Sequence, residues 1–304
     1  MDIPPKLVFG RQQWTVAFLC IALAAAGLAY RVITHSKLEQ TSLLFIGVPA
    51  LLAVLVTCVP NPKSVTGLIL KGMTVGLLLS GPLLGEGFIC VLMAAPVFYV
   101  VGILVGVVAD VSRKSNNPAV VTVLLVLLPL SLEGTSSHFS FPRDETVQAS
   151  RVVDAPASAV ERALSRSPQL GVPLPFYLRL GFPHPAQAHG TGLEVGALRT
   201  IHFAGGEGQP GDLVLQVQQS KPGFAHFGVV SDQSRIAHWL DWKSSDVQWQ
   251  EIDPGHTRVS WTINFRRNLD PSWYFRPWER YAVRLVAQHL IVANATPKAS
   301  EFEK

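Results

Sequence analysis

Cysteine is scarce in this chain of 304 residues, and all three, Cys20, Cys58 and Cys90, fall inside apolar runs. Residues 133–304 contain none, so that part of the chain forms neither a disulfide nor a thiolate metal site. Charge is also sparse. Charged residues make up only 15% of the chain against 48% hydrophobic, too apolar for an ordinary soluble protein. The formal net charge of +4 is scattered, with no basic run longer than Arg266-Arg267 or Arg113-Lys114. Nucleic-acid binding needs Lys and Arg concentrated on one face, so a nucleic-acid partner is set aside. A Gly-x-Ser-x-Gly elbow and a P-loop are missing, as is a dinucleotide fingerprint opening a helix, which argues against the best-marked hydrolases and nucleotide enzymes. No His-x-x-x-His or cysteine pair offers a metal site, and no cofactor is expected.

What is present divides into two parts. Residues 1–132 hold long apolar runs with brief polar breaks, whereas residues 133–304 carry most of the charge, eight of the nine histidines and six of the seven tryptophans. A helix crosses the hydrocarbon core in about 20 apolar residues. The runs 14–33, 42–59 and 88–109 meet this; 64–84 contains Lys71, and 118–132 is short and opens at Pro118. An all-α transmembrane bundle of four to five helices is therefore expected. Lys and Arg favour the cytoplasmic loops, and Lys6, Arg11, Lys63, Arg113 and Lys114 outweigh Arg31 and Lys37. This places the N-terminus in the cytoplasm of a bacterial inner membrane, with residues 133–304 outside if the spans number five and inside if four. Lys71 either snorkels toward the interface beside Lys63 or contacts an ion or headgroup. Gly102 and Gly106 have the small-xxx-small spacing of close helix packing.

Residues 133–143 read as a linker, 144–297 as an α+β domain and 298–304 as a tail. Glu145–Val153 alternates as a strand, and a helix follows with Asp154 as its expected N-cap. After a Pro-rich stretch centred on Phe176, Tyr177 and Phe182, strands are predicted near 194–204, 212–220, 223–231, 235–243, 245–253 and 257–268, with Pro254-Gly255 as a hairpin turn. The short connections give an antiparallel meander. Pro271–Val292 reads as a long helix whose apolar face includes Tyr281, Val283, Leu285, Val286 and Leu290.

This order resembles the SRPBCC superfamily, the START-like or polyketide cyclase/dehydrase-type helix-grip domain. The resemblance is carried by Val152-Val-Asp-Ala-Pro-Ala-Ser-Ala-Val-Glu-Arg-Ala-Leu164, by the strand Thr257-Arg-Val-Ser-Trp-Thr-Ile-Asn-Phe265, and by Leu269-Asp-Pro-Ser-Trp-Tyr-Phe-Arg-Pro-Trp278 leading into the last helix. It implies a curved antiparallel sheet wrapping the C-terminal helix around a cavity, and it carries over no catalytic residue.

Residues two apart on a strand share a face, so Val259, Trp261, Ile263 and Phe265 form one apolar stripe and Val247 and Trp249 another. These stripes line a pocket or pack against the last helix. His202, His226, His238, Asp241 and Glu251 are the polar candidates on predicted strands, each alone more often a solvent-facing group than a ligand contact. His238 is preferred because it shares a face with Ile236, Leu240 and Trp242. The candidate cavity set is thus His238, Trp242, Trp249, Val259, Trp261, Ile263 and Phe265. Trp273, Tyr274, Phe275, Arg276 and Trp278 mix aromatics with a cation as at a bilayer interface; they equally close a cavity or fix the start of the helix. The leading expectation is a membrane-anchored module, partnered by the lipid bilayer, that binds or transfers a hydrophobic small molecule or lipid. The alternatives are a cyclase or dehydratase using His238 with Asp241 or Glu251 as acid and base, and a structural or sensory protein without ligand.

Overall fold

A computed structural model describes residues 61–84, 88–115, 132–135, 138, 140–204 and 210–297. The chain forms two compact units, residues 1–131 and 132–304. The expected spans 14–33 and 42–59, nearly all of 118–132, and the tail 298–304 lie outside the described residues.

In the first unit, helices occupy the two remaining expected segments: α1, Val65–Leu84, and α2, Phe88–Ser115. Among the described residues one helix, Ile89–Arg113, is long and apolar enough to cross a membrane; the apolar part of α1, Val65–Ser80, is shorter. The two helices approach closely because Gly102 and Gly106 lack side chains. A Cβ at Gly106 would lie 2.5 Å from the Thr66 Cα. Asp110 of α2 accepts hydrogen bonds from the Val65 and Thr66 backbone N–H groups at 2.7 and 3.1 Å and from the Thr66 hydroxyl at 2.7 Å. It thereby satisfies donors that the first turn of any helix leaves open. Lys71 donates to Asn61 Oδ1 at 3.0 Å, so its stem runs back toward the start of α1.

The second unit is built on β1 (Asp144–Val153), α3 (Ala157–Leu164), β2 (His184–His189), β3 (Leu198–Ala204), β4 (Gly211–Lys221), β5 (Phe224–Asp232), β6 (Leu240–Asp253), β7 (His256–Arg267) and α4 (Ser272–Leu290). A π-helical turn, Ile291–Ala295, continues α4. All pairings are antiparallel, in the order β1-β7-β6-β5-β4-β3-β2. Register shifts on β4 after Val214 and Val217, and on β6 between Trp242 and Ser244, insert the extra residues that bend a sheet. Helix α4 packs on β1 and β7, and α3 on β6 and β7. A curved antiparallel sheet holding a C-terminal helix against its inner face is the helix-grip arrangement.

Four expectations are corrected. A strand, β2, occupies 184–189, where Pro and His suppress any strand signal. As an edge strand it tolerates Pro185, which sits at a register shift. The strand expected over 194–204 begins only at Leu198. The two strands expected over 235–243 and 245–253 are one, β6, preceded by a 3-10 turn at Arg235–His238. Asn268 stops the strand from starting earlier by donating from Nδ2 to Ala237 O at 3.0 Å and from its backbone N–H to Trp239 O. Finally, Asp154 does not cap α3; the N-cap is Pro156, and Glu251 Oε2 accepts from the Ala157 N–H at 3.4 Å.

Candidate functional site

Alternation along β7 buries Thr257, Val259, Trp261, Ile263, Phe265 and Arg267 and leaves the residues between them partly or fully exposed. The pairing places Val247 opposite Trp261, Trp249 opposite Val259 and Trp242 opposite Phe265, so all of these share the inner face. Facing them from α4 are Glu279, Val283 and Ala287, buried at the i, i+4, i+8 spacing of one helix face. Trp249, Val259, Trp261, Ile263 and Phe265 are thus brought together in the core, with Trp242 partly buried at its margin. The Trp261 indole donates to Ser245 Oγ at 2.6 Å, which satisfies its one polar atom.

One end of this inner face is charged. Glu145 extends the buried Val147–Ala149 stripe of β1, and Arg267 extends the stripe of β7. Glu145, 6% exposed, is held by Arg276 Nε and Arg280 Nη1 of α4, each at 2.5 Å. Arg143 pairs with Asp270, whose other oxygen lies 3.6 Å from Arg267 Nη1. Glu133 Oε1 accepts from the Ser272 N–H at 2.9 Å at the first turn of α4. Arg267 is 1% exposed and Glu279 7% exposed. Arg267 Nη1 donates to Leu269 O at 2.8 Å, but its Nε and Nη2 and Trp242 Nε1 have no hydrogen-bond partner, and the Glu279 carboxyl is met by no side-chain donor, only by the Leu269 backbone N–H. Burial pushes the Glu279 carboxyl up to about 7, against the opposing pull of Arg267 and of the Leu269 backbone N–H.

A second buried cation lies elsewhere on the sheet. Arg199 of β3 donates to Leu164 O and, at 3.1 Å, to Gly192 O, with its guanidinium 4.9 Å from the Phe227 ring centroid. Burial lowers its pKa to about 10. It ties the end of α3 and the 190–197 turn to the sheet.

His238 is not on a strand. It ends the 3-10 turn and is exposed, and no hydrogen bond joins it to Asp241 or Glu251. The Asp241 carboxylate accepts from Asn268 Nδ2 at 2.8 Å. His202 pairs with Asp212 at 2.6 Å, and His226 with Asp246, both as cross-strand neighbours. The acid–base pair expected around His238 is not assembled. Among the described residues no group of three or more His, Cys, Asp or Glu side chains is placed to hold a metal ion.

The aromatic segment at the start of α4 divides. Trp273, Arg276 and Trp278 are exposed, whereas Tyr274 and Phe275 are half-buried, with Tyr274 ring contacts to Trp273, Phe275 and Trp278. Arg276 is turned to Glu145. Tyr281, expected on the apolar face, is exposed but meets Tyr177 edge-on at 5.2 Å; Tyr177 in turn meets Phe182, and Phe182 meets Trp239. Burial first, then the neighbouring Tyr281 and Tyr274, pushes the Tyr177 phenol up to about 12.

Glu145, Arg267 and Glu279 did not stand out in the sequence, although a signal was there. Each continues an apolar stripe at the period of its own element, period two for the strands and i, i+4 for the helix.

No family model matches the chain, and no curated protein is significantly similar to it. Among solved structures, the Zhui aromatase/cyclase from Streptomyces sp. R1128 is 13% identical, with a TM-score of 0.31 over 50% of this chain and 86% of its own. Norcoclaurine synthase from Thalictrum flavum is 12% identical, with a TM-score of 0.32 over 48% of this chain and 87% of its own. An uncharacterized protein from Bacillus thuringiensis is 10% identical, with a TM-score of 0.30 over 48% of this chain and 99% of its own.

Proposed function

We propose that the second unit binds a hydrophobic small molecule or lipid against the inner face of its sheet, beneath α4, and that the N-terminal helices hold it at a membrane. One observation carries this reading. Beside the apolar wall of Trp242, Trp249, Val259, Trp261, Ile263 and Phe265, three buried N–H groups of Trp242 and Arg267 have no partner, and the buried Glu279 carboxyl has no side-chain donor. Leaving such an atom unsatisfied costs about 1–3 kcal/mol, more when it is charged. A domain serving only as structure gains nothing from that cost, whereas a ligand that fills the site offsets it. The membrane setting is supported by the length and apolarity of Ile89–Arg113 and by the apolar runs on either side of it. Trp273 and Trp278 offer exposed aromatic groups suited to a bilayer interface. An N-terminus in the cytoplasm of a bacterial inner membrane fits the distribution of Lys and Arg.

The cyclase or dehydratase alternative loses the His238 pair on which it was founded. Native mass spectrometry of the full chain tests the binding reading. A defined apolar molecule should co-purify with it and be depleted in Trp242→Ala and Trp261→Ala. A chain that arrives empty and takes up no added apolar molecule would leave only the structural role.

A further inference from the structure

Given that binding reading, on which this inference rests, we infer that the polar end of the ligand is a carboxylic acid, seated between Arg267, Glu279 and Trp242 and sharing one proton with Glu279. The unpartnered atoms set the chemistry. Arg267 Nε and Nη2 and Trp242 Nε1 are three N–H donors without an acceptor, and Glu279 presents a carboxyl that meets only the Leu269 backbone N–H and no side-chain donor. Trp242 is opposite Phe265, and Arg267 lies two residues beyond Phe265 on the same face, so the donors share one corner of the sheet. The charge of Arg267 acts on Glu279 from there.

A hydroxyl head would use one or two of these groups. An amine would place a second cation beside Arg267. A carboxylate accepts from the guanidinium edge in the bidentate geometry that Arg favours and has lone pairs left for the indole N–H. Two carboxyl groups in contact cannot both ionise at little cost, so the pair keeps one proton between them, and the remaining negative charge answers Arg267.

The other charges around Glu279 have partners of their own, except that Asp270 Oδ1 accepts no hydrogen bond and faces Arg267. Arg143 is paired with Asp270, which also lies near Arg267; Arg276 and Arg280 are paired with Glu145; Glu133 accepts from the backbone of Ser272. With Glu279 protonated, Arg267 is left as the cation of the corner with free donors. The free protein holds this proton below about pH 7 and loses it above, because burial raises the Glu279 pKa to about 7. Binding a carboxylate above that point must therefore take up one proton, and affinity falls about tenfold per pH unit.

The test uses the full chain in lipid nanodiscs with dodecanoate labelled with carbon-13 at the carboxyl, counting the bound resonance against empty nanodiscs. Methyl dodecanoate serves as the competitor. Dodecanoate should bind at least tenfold more tightly than its ester at pH 6, with affinity level between about pH 5 and 7 and falling about tenfold per unit above that range. Glu279→Gln should keep binding and lose the alkaline fall, and Arg267→Met should lose the preference for acid over ester. Equal binding of acid and ester at pH 6, or an alkaline fall that persists in Glu279→Gln, overturns the carboxylic acid while leaving apolar binding intact. Failure of both compounds to bind overturns the binding reading itself. Because the acid–ester comparison is made on the unaltered chain, it stands even if Arg267→Met does not fold.

Discussion

Glu279 of α4 and Arg267 of β7 are buried in the same corner of the second unit and feel each other's charge, yet no hydrogen bond joins them. Desolvation of Glu279 outweighs the attraction, which raises its carboxyl from 4.5 to about 7. The consequence for stability has a definite sign. Below pH 4.5 both the folded and unfolded chains carry the proton and stability is full. As pH rises toward 7 the unfolded chain ionises first, and stability falls by about 2–3 kcal/mol before levelling off. Glu279→Gln should therefore match the native chain near pH 4.5 and exceed it by about 2 kcal/mol at pH 8, where the buried charge is removed. Urea unfolding followed by tryptophan fluorescence reads this, since six of the seven tryptophans lie in the second unit. An equal difference at both pH values would mean that Glu279 does not titrate in this range.

Glu145 does the opposite work, because it is buried with two partners. Its carboxylate is 3% exposed and bridges Arg276 and Arg280, fastening α4 to β1. Removing the shared anion leaves two guanidinium groups facing each other, so Glu145→Ala should destabilise the second unit by about 3 kcal/mol. Because both arginines are partly exposed, solvent screens part of that cost. Reverting Arg276 alone to Ala should cost less, about 1 kcal/mol, since Arg280 remains. Equilibrium urea curves for the two variants check the ranking; equal losses would show that Arg276 carries the contact alone.

Trp261 is both core and polar partner. Trp261→Ala removes a buried indole and should cost about 3–5 kcal/mol. Ser245→Ala keeps the indole and removes only its acceptor, and should cost about 1–2 kcal/mol. If Ser245→Ala has no effect on urea stability, the 2.6 Å bond contributes nothing net.

Gly223 holds φ +78° in the turn between β4 and β5, and a Cβ there would lie 2.9 Å from Trp249 O. Gly223→Ala should destabilise the hairpin by about 1–2 kcal/mol, whereas Gly255→Ala, whose Cβ would meet only Asp253 Oδ1 at 3.8 Å, should change little. Amide exchange across β4 and β5 distinguishes a local opening from a global loss.

The elements whose side chains alternate cleanly were legible in the sequence. Val259, Trp261, Ile263 and Phe265 announce β7 and its inner face, and Pro254-Gly255 announces the β6–β7 turn. The reading failed where a long-range contact decides. Ile236, His238, Leu240 and Trp242 alternate as a strand would, but Asn268 engages Ala237 and Trp239, and His238 ends in solvent. His184–His189 forms β2 by pairing with β3, with no propensity of its own to reveal it. Arg267, Glu145 and Glu279 were hidden for a third reason. A charge at an inward position looks like the end of a stripe until the opposing helix is known to cover it.

The most direct test of ligand binding under α4 is photolabelling of the full chain in its membrane with an alkyl carboxylic acid bearing a terminal diazirine, followed by peptide mapping with and without excess dodecanoate. The account predicts labels on the inner-face residues of β6 and β7 and on the covered face of α4, all removed by the competitor. Labels confined to residues 1–131 or to the exposed aromatics Trp273 and Trp278, and indifferent to competitor, would contradict it.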